Sequence, residues 1–262
     1  MDHHPLEGMW YVLLVSAMVE RIIENDEIIV LQEQLGEWDN LNHLVICKKT
    51  NEAAIIDPFS GSFWLEICQK NNWNLNQVWL THTHWDHCKG VADLEGCEIW
   101  AHELEFERGW DGPRDHIWQN PPNTSFIQKL GNLSFEIHCT PGHTPGHTTI
   151  IGNGFVSSGD CLFLGRCGRT DLFGGDVKSQ RKSLIYLKQQ LQVVPANWLV
   201  LPGHQYPLQD GSNPTSLTVK QLLSDNEALM AVEDDDEWNG LSFLSFDDNM
   251  AEQARRQRAM NQ

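Results

Sequence analysis

The chain of 262 residues has a globular composition, with 40% hydrophobic and 21% charged residues, and it is long enough to bury a substantial core without disulfide bonds. Asp and Glu total 36 against 18 Lys and Arg, a formal net charge of −18. This acidity argues against binding to nucleic acid or to an anionic membrane surface, because both require a basic footprint. The cysteines are scattered, odd in number and free of C-x-x-C spacing, which indicates reduced thiols and a cytoplasmic location.

The first half of the chain predicts mostly strands. The apolar run at residues 10–18 is too short for a membrane span and has no basic residue before it, so we interpret it as a buried strand or helix and not as a signal peptide. Three runs of strand length follow at 27–31, 43–47 and 53–57. The last two form a predicted hairpin that ends at Asp57. Residues 63–71 have helical spacing, and residues 77–81 predict a strand that enters a His-rich turn.

The second half predicts strands that alternate with helices. An amphipathic helix is predicted at 178–191, with Leu184, Leu187 and Leu191 on one side. Residues 217–231 are predicted to be helical, residues 233–237 to be a solvated charge run, and residues 249–260 to form a final helix. Further strands are predicted at 97–101, 133–139, 148–151, 154–157 and 197–201. This order of elements indicates a layered α/β or α+β protein.

The strongest chemical signal is the segment THTHWDH at residues 81–87. It places His82, His84, Asp86 and His87 directly after a predicted strand. A turn there allows His82 and His84 to address one metal ion, and Asp86 and His87 to address a second. Imidazole and carboxylate are the ligands that zinc and similar cations prefer. We therefore interpret the segment as part of a metal site.

Three later motifs each place a ligand-type residue beside glycine at a predicted strand end. They are TPGHTPGH with His143, SGDC with Asp160, and PGHQY with His204. Glycine allows the backbone to turn tightly beside each ligand, and loops over a rigid sheet are common positions for functional residues. The four motifs together supply seven ligands, which suits two ions that share one carboxylate. His147 is instead expected to pack or hydrogen-bond near the site.

In this order the four motifs resemble those of the metallo-β-lactamase superfamily, over roughly residues 27–208. The resemblance implies an α/β (α+β) fold, the four-layer αββα sandwich, with metal ions at one edge of two mixed sheets. The chain then divides into an N-terminal extension (1–26), a catalytic domain (27–208) and an acidic, mostly helical C-terminal extension (209–262).

The resemblance also implies roles for the seven ligands. Two divalent ions are expected, with zinc first and iron or manganese as alternatives. Asp160 would bridge the ions. The first ion would be held by His82, His84 and His143, and the second by Asp86, His87 and His204.

Within the superfamily, Trp85 and the motifs TPGHTPGH and PGHQY resemble glyoxalase II, the hydroxyacylglutathione hydrolases. In that family a basic residue at the Arg169 position and a tyrosine at the Tyr206 position contact glutathione, so both are implied as substrate-binding residues. Arg169 belongs to a local basic patch that could hold an anionic thiol, with Arg166, Lys178, Arg181 and Lys182 as its other members.

One stretch departs from the glyoxalase II pattern. The C-terminal helical part of that family carries basic residues that grip the carboxylates of glutathione. Here residues 217–231 have only Lys220, and Leu222 and Leu223 occupy positions where charge is expected. The departure places glutathione itself in question more than it does hydrolysis.

The resemblance implies a small-molecule substrate, a thioester such as S-lactoylglutathione, cleaved by a metal-bridging hydroxide that Asp86 helps to orient. Two alternatives stay open. Residues 165–176 (GRCGRTDLFGGD) resemble both short, single-domain glyoxalase II-like proteins and persulfide dioxygenases. In a dioxygenase one Fe(II) would be held by His82, His143 and Asp160. The other alternative is a superfamily hydrolase of a different ester, a lactone or a phosphodiester. Nucleic acid and membranes are not expected partners.

Overall fold

The computed structural model describes residues 19–245 and contains two β-sheets. The first sheet has seven strands that lie side by side in chain order. Strands β1 to β4 pair antiparallel, whereas β4 to β7 pair parallel. The strands are β1 (Glu20–Glu24), β2 (Ile28–Gln34), β3 (Leu41–Cys47), β4 (Glu52–Ile56), β5 (Asn74–Trp79), β6 (Glu98–His102) and β7 (His116–Trp118).

The second sheet has six strands in the order β13-β12-β11-β10-β9-β8. Its pairs are antiparallel except for β11 and β12, which are parallel. A parallel pair requires a long crossover, and the helix at Val177–Val193 supplies it. The strands are β8 (Ser125–Leu130), β9 (Leu133–Cys139), β10 (Thr148–Gly152), β11 (Phe155–Gly159), β12 (Leu199–Pro202) and β13 (Leu217–Thr218).

The helices of the described residues are two long ones and several short ones. The long ones begin at side-chain caps, because Ser60 accepts a hydrogen bond from the backbone of Phe63 and Asp176 accepts one from that of Ser179. The α-helices are α1 (Gly61–Asn71), α2 (Trp85–Cys88), α3 (Glu103–Glu107), α4 (Val177–Val193), α5 (Val219–Asp225), α6 (Glu227–Ala231) and α7 (Asp235–Asn239), with 3-10 turns at Lys89–Asp93 and Ser242–Ser245. None of the helices in residues 19–245 combines the length and the apolarity of a membrane span.

Three clusters of buried side chains show how these elements are layered. Trp64 of α1 packs against the outer face of the first sheet. Between the sheets, Trp79 of β5 meets Phe135 of β9 with ring centroids 5.1 Å apart. On the far side, Leu184 of α4 packs with Val200 of the second sheet. The order helix, sheet, sheet, helix confirms the predicted αββα sandwich.

The structure also differs from the sequence-based predictions in places. Strands β1, β7 and β8 were not predicted. The single helix predicted at 217–231 is divided into β13, α5 and α6. The break falls at Asn226, whose side chain accepts from the backbone N–H of Leu229 and donates to the carbonyl of Phe163. Leu222 of α5 is fully buried with the α4 core, so apolar residues at this position serve packing.

Two predicted segments, residues 10–18 and residues 249–260, lie outside the described residues. The division of the chain after residues 26 and 208 stays a prediction. Strand β1 lies before the first of these boundaries and pairs with β2. Helices α5 to α7 lie after the second and contribute buried residues to the α4 core.

Candidate metal centre

The segments with the predicted ligands leave strands of both sheets. Residues 82–87 follow β5, and His143 lies in the loop between β9 and β10. Asp160 directly follows β11, and His204 follows β12. Gly159 precedes Asp160 with a φ of 48°, and a Cβ there would lie 2.7 Å from the ring of His147. Glycine at this position therefore permits the turn that brings Asp160 to the other ligands.

One group of predicted ligands, the first triad, consists of His82, His84 and His143. Nε2 of His82 lies 3.0 Å from Nδ1 of His84, and Nε2 of His143 lies 2.9 Å from the same atom. His82 and His143 are buried and His84 is partly buried. The three nitrogens lie within 4.8 Å of one another, which is close enough for all three to contact one ion.

A second group, the second triad, consists of Asp86, His87 and His204, all of them buried. The Nε2 atoms of His87 and His204 are 3.0 Å apart. Oδ2 of Asp86 lies 3.5 Å from the first of these nitrogens and 3.4 Å from the second. These atoms also converge on one point.

Asp160 lies between the two triads. Its Oδ1 is 3.5 Å from Nε2 of His87. Its Oδ2 is 3.5 Å from Nε2 of His143 and 3.3 Å from Nε2 of His204. Oδ1 is buried and has no hydrogen-bond partner among residues 19–245. The carboxylate therefore reaches members of both triads, as the bridging role predicted for it would require.

In His143 and His204, the ring nitrogen that faces away from the centre shows by its hydrogen bond which nitrogen carries the lone pair. Nδ1 of His143 is 2.7 Å from the carbonyl oxygen of Arg169, and Nδ1 of His204 is 2.7 Å from that of Trp38. A carbonyl only accepts, so both Nδ1 atoms donate. In the neutral ring that a metal ion requires, Nε2 of each therefore carries the lone pair, and it points into the centre.

Asp57 fixes the orientation of one histidine of each triad. Its Oδ2 lies 3.0 Å from Nδ1 of His87 and accepts a 2.6 Å hydrogen bond from the hydroxyl of Thr81. Because this hydroxyl donates to Asp57, it accepts from Nδ1 of His82 at 3.1 Å. A single buried carboxylate thus orients His82 and His87 together.

These nitrogens fit divalent cations. The facing Nε2 lone pairs of His87 and His204 repel unless a proton or a cation lies between them. Burial alone lowers the pKa of both rings, but Asp160 and Asp86 outweigh it and raise each pKa to about 9. In the first triad, burial and then the neighbouring histidines lower the pKa of His82. A cation bound between His87 and His204 would take the place of that proton, and imidazoles with a shared carboxylate form a donor set that zinc and iron accept.

Two supporting residues were not predicted from the sequence. Asp57 was predicted only as a strand end, although a carboxylate at the carboxyl end of a strand beside the His-rich segment was an available signal. Asn40 donates a 2.9 Å hydrogen bond from Nδ2 to Oδ2 of Asp86 and so orients it. His147, expected to hydrogen-bond near the site, accepts at Nε2 from the backbone N–H groups of Asp160 and Cys161, both at 3.1 Å.

The two predicted substrate contacts border this centre. The carbonyl of Arg169 accepts from His143, and its guanidinium binds Asp171 at 2.6 Å. The ring of Tyr206 stacks on that of His204, with centroids 5.6 Å apart. Burial, reinforced by the charge of Asp160, raises the pKa of the Tyr206 phenol, so it is a neutral hydrogen-bond donor at neutral pH.

Two arginines of the predicted basic patch bind other parts of the chain. Nη1 of Arg181 lies 2.6 Å from Oδ1 of Asp235, and its Nε donates to the carbonyl of Val232. Arg166 donates to the carbonyl of Phe243. These two guanidinium groups therefore contact the C-terminal helices and turns.

Comparison with known proteins identifies the family of the chain. Residues 37–204 match the sequence profile of the Metallo-beta-lactamase superfamily. A curated hydroxyacylglutathione hydrolase of Tolumonas auensis is 32% identical over 169 residues, which cover 63% of this chain and 62% of that protein. The chain spans about three fifths of the length of such curated relatives.

Solved structures agree with the fold. ETHE1 from Myxococcus xanthus superposes with a TM-score of 0.63 at 22% identity, covering 87% of this chain and 98% of that one. The protein TTHA1623, in a di-iron-bound form, superposes with a TM-score of 0.58 at 26% identity, covering 74% of this chain and 98% of that one.

Proposed function

The chain belongs to the metallo-β-lactamase superfamily, and from this premise we propose that it is a dinuclear metallohydrolase that cleaves a thioester. The observation that carries the proposal is the position of Asp160, whose two carboxylate oxygens reach members of both triads. The similarity to hydroxyacylglutathione hydrolases supports a thioester as the substrate class.

In this proposal the first triad would hold one cation, the second triad would hold a second, and Asp160 would contribute to both sites. Bound divalent ions supply a nucleophile at neutral pH, because coordination lowers the pKa of water toward about 7. Asp86, which is fixed by Asn40 at 2.9 Å, would orient the attacking water. Zinc is our first choice of metal, and the di-iron form of TTHA1623 is the reason to test iron beside it.

The proposed substrate is a hydroxyacylglutathione such as S-lactoylglutathione. The proposal assigns Arg169 to a glutathione carboxylate, since guanidinium forms two-point bonds with carboxylates. It assigns Tyr206 to hydrogen bonding with the thiol half. A cytoplasmic location is also proposed, supported by free cysteines throughout the described residues.

A persulfide dioxygenase is the second candidate, favoured by the loop at residues 165–176. It would need one Fe(II) on His82, His143 and Asp160, and these residues do approach one another, with Nε2 of His143 at 3.5 Å from Oδ2 of Asp160. The second triad argues against it, because a mononuclear site has no use for Asp86, His87 and His204 together. A superfamily hydrolase of another ester, a lactone or a phosphodiester has no observation in its favour beyond the shared fold.

One experiment separates the first two candidates. The chain is loaded with zinc or with iron and assayed for S-lactoylglutathione cleavage with and without oxygen, beside oxygen uptake with glutathione persulfide. Thioester hydrolysis consumes no oxygen, so an equal rate in both atmospheres is expected. Activity that requires both O₂ and Fe(II), without thioester cleavage, would replace the hydrolase with the dioxygenase.

A further inference from the structure

An aromatic patch with one exposed member borders the candidate metal centre. It consists of Trp38, Phe59 and Trp85, and Trp85 is 57% exposed although it stands between His84 and Asp86 in the chain. The Trp85 ring meets Trp38 edge-on at 5.9 Å and Phe59 at 5.8 Å. A tryptophan held by two rings yet largely exposed is a preformed apolar surface for a ligand.

Two contacts fix this aromatic patch beside the ligands. The carbonyl of Trp38 accepts the 2.7 Å hydrogen bond from His204. The ammonium of Lys89 lies 4.9 Å from the centroid of Trp85 and 4.2 Å from that of Phe59. This cation–π contact stabilises the ring orientation and leaves the remainder of Trp85 to solvent.

Two groups of residues border the candidate metal centre, and they come from different halves of the chain. The aromatic patch belongs to the half that builds the first sheet, whereas Arg169 and Tyr206 belong to the half that builds the second. Under the proposed function, Arg169 and Tyr206 hold the thiol half of the thioester. We propose that the exposed face of Trp85 receives the acyl half and favours acyl groups with an apolar ring or branched chain. This inference rests on the proposed thioester hydrolysis.

The test compares two glutathione thioesters that differ in the acyl group, S-mandeloylglutathione with a phenyl ring and S-lactoylglutathione with a methyl group. Trp85→Ala is expected to raise KM for the mandeloyl substrate about tenfold and for the lactoyl substrate less than twofold, because only the phenyl ring loses a stacking surface. Trp85→Phe should retain most of the preference. Phe126→Ala, which removes an exposed ring on β8, is the matched control, and metal content is measured for every variant.

The outcomes separate this inference from the proposed function. A wild type that cleaves neither thioester removes both. A wild type that cleaves them while Trp85→Ala changes both KM values equally, or neither, overturns the acyl subsite alone.

A second, independent observation concerns Glu105 of α3, a carboxylate with 0% exposure. Its Oε2 accepts from the backbone N–H of Thr83 at 2.9 Å and from the Thr83 hydroxyl at 2.6 Å. Its Oε1 accepts from the backbone N–H of Gly146 at 2.9 Å. Arg108 donates to the Thr83 hydroxyl at 3.0 Å and lies 3.4 Å from Glu105, which supplies the charge that a buried carboxylate needs.

These contacts join the two segments of the first triad. Thr83 stands between His82 and His84, and Gly146 is in the same short loop as His143. A Cβ at residue 146 would lie 2.8 Å from the backbone nitrogen of Glu105, so glycine permits the approach. We infer that Glu105 is a positioning residue that sets the geometry of the first triad.

Metal affinity provides a test that does not depend on activity. Co²⁺ is titrated into metal-free protein in two backgrounds, His204→Ala, which impairs the second triad, and His143→Ala, which impairs the first. Glu105→Gln replaces one accepting carboxylate oxygen with an amide N–H₂ group, which cannot accept the hydrogen bonds that this oxygen received. It should weaken Co²⁺ binding tenfold or more and shift the visible Co²⁺ absorption band in the first background, with less than twofold change in the second. Glu107→Gln, at an exposed position of the same helix, is the control.

Equal weakening in both backgrounds would show a general structural role, and no weakening in either would show that Glu105 does not position the triad. Either result overturns the inference. If Glu105→Gln does not fold, Thr83→Val removes the hydroxyl that donates to Glu105 and accepts from Arg108 and keeps the backbone contacts of Glu105, and the same selective loss is expected in smaller measure.

Discussion

Arg169 and Asp171 form a two-point ion pair, in which Nε and Nη2 of the arginine each donate a 2.6 Å hydrogen bond to a separate carboxylate oxygen. The carbonyl of Arg169 meanwhile accepts from Nδ1 of His143. The residue thus supports a predicted ligand through its backbone, while its side chain is already neutralised. A substrate carboxylate must compete with Asp171 for the guanidinium.

We predict that Arg169→Ala raises KM for S-lactoylglutathione about tenfold, since a hydrogen bond to a charged group contributes on the order of 1.5–3 kcal/mol. The turnover number should change much less, because the contact acts equally on the ground and transition states. Steady-state kinetics measure both. Asp171→Asn should lower KM by removing the competitor, and Arg21→Ala on β1 is the control. An unchanged KM in Arg169→Ala would make the guanidinium a structural group.

The second prediction concerns metal content. Wild-type protein is expected to bind close to two ions per chain. Asp160→Ala should lower the occupancy of both sites because it reaches both triads, whereas His204→Ala should mainly empty the second. Elemental analysis measures the occupancy. His116→Ala, a histidine that packs on Trp100, serves as control. One ion per chain at full activity would contradict the dinuclear centre.

The third prediction concerns Asp57, which orients His87 directly and His82 through Thr81. Asp57→Asn keeps the size of the side chain but offers one acceptor oxygen where the carboxylate offers two. Metal affinity should fall about 10–100-fold, as is usual when a group behind a ligand is lost. Competition with a chelator measures it, and Asp93→Asn at an exposed position is the control. A loss confined to one ion would disprove the coupling of the two histidines.

The fourth prediction concerns acid stability and His43, a buried histidine of β3. Gln32 donates an N–H to its Nε2 at 2.9 Å, and burial lowers its pKa from 6.5 to about 3. Below pH 6.5 the unfolded chain binds a proton at His43, whereas the folded chain does not. The contribution of the neutral, buried ring to the free energy of unfolding is therefore complete above pH 6.5 and is lost as the pH falls toward 3.

Urea unfolding at pH 7 and pH 5 tests this. The wild type should lose about 2 kcal/mol more than His43→Gln between these values, at about 1.4 kcal/mol per pH unit below 6.5. The other buried histidines are common to both proteins and cancel in the difference. His116→Gln should behave like the wild type. Equal losses of unfolding free energy in wild type and His43→Gln would mean that His43 binds a proton in the folded chain as it does in the unfolded chain.

Local sequence patterns predicted the elements in which apolar and polar residues are regularly spaced. Strand β9 was predicted with its observed bounds, because apolar and polar residues alternate along most of it. Strand β8 was missed because Phe126 and Ile127 are adjacent and both exposed, which erases a period of two. The helix break at Asn226 depends on the carbonyl of Phe163, a partner that no local pattern contains.

The same contrast holds at the site. The predicted ligands follow predicted strands, and His143, Asp160 and His204 also stand beside glycine. Both features are visible in the chain, and the structure brings all seven residues together. Asp57, Asn40 and Glu105 act on residues 22 to 46 positions away, and of the three only Asp57, at the end of a strand, carries a local signal. Whether the predicted residues hold metal, and whether Arg169 and Tyr206 contact a substrate, stays a prediction for the experiments above.

Each triad takes two members from the half of the chain that builds the first sheet and one from the half that builds the second. Neither can be complete until both sheets have formed and faced each other. Capture of an ion should therefore be a late event in refolding, after the far-ultraviolet signal of the sheets has recovered. The ion would then report that the two halves have met, and its departure would be an early step in their separation.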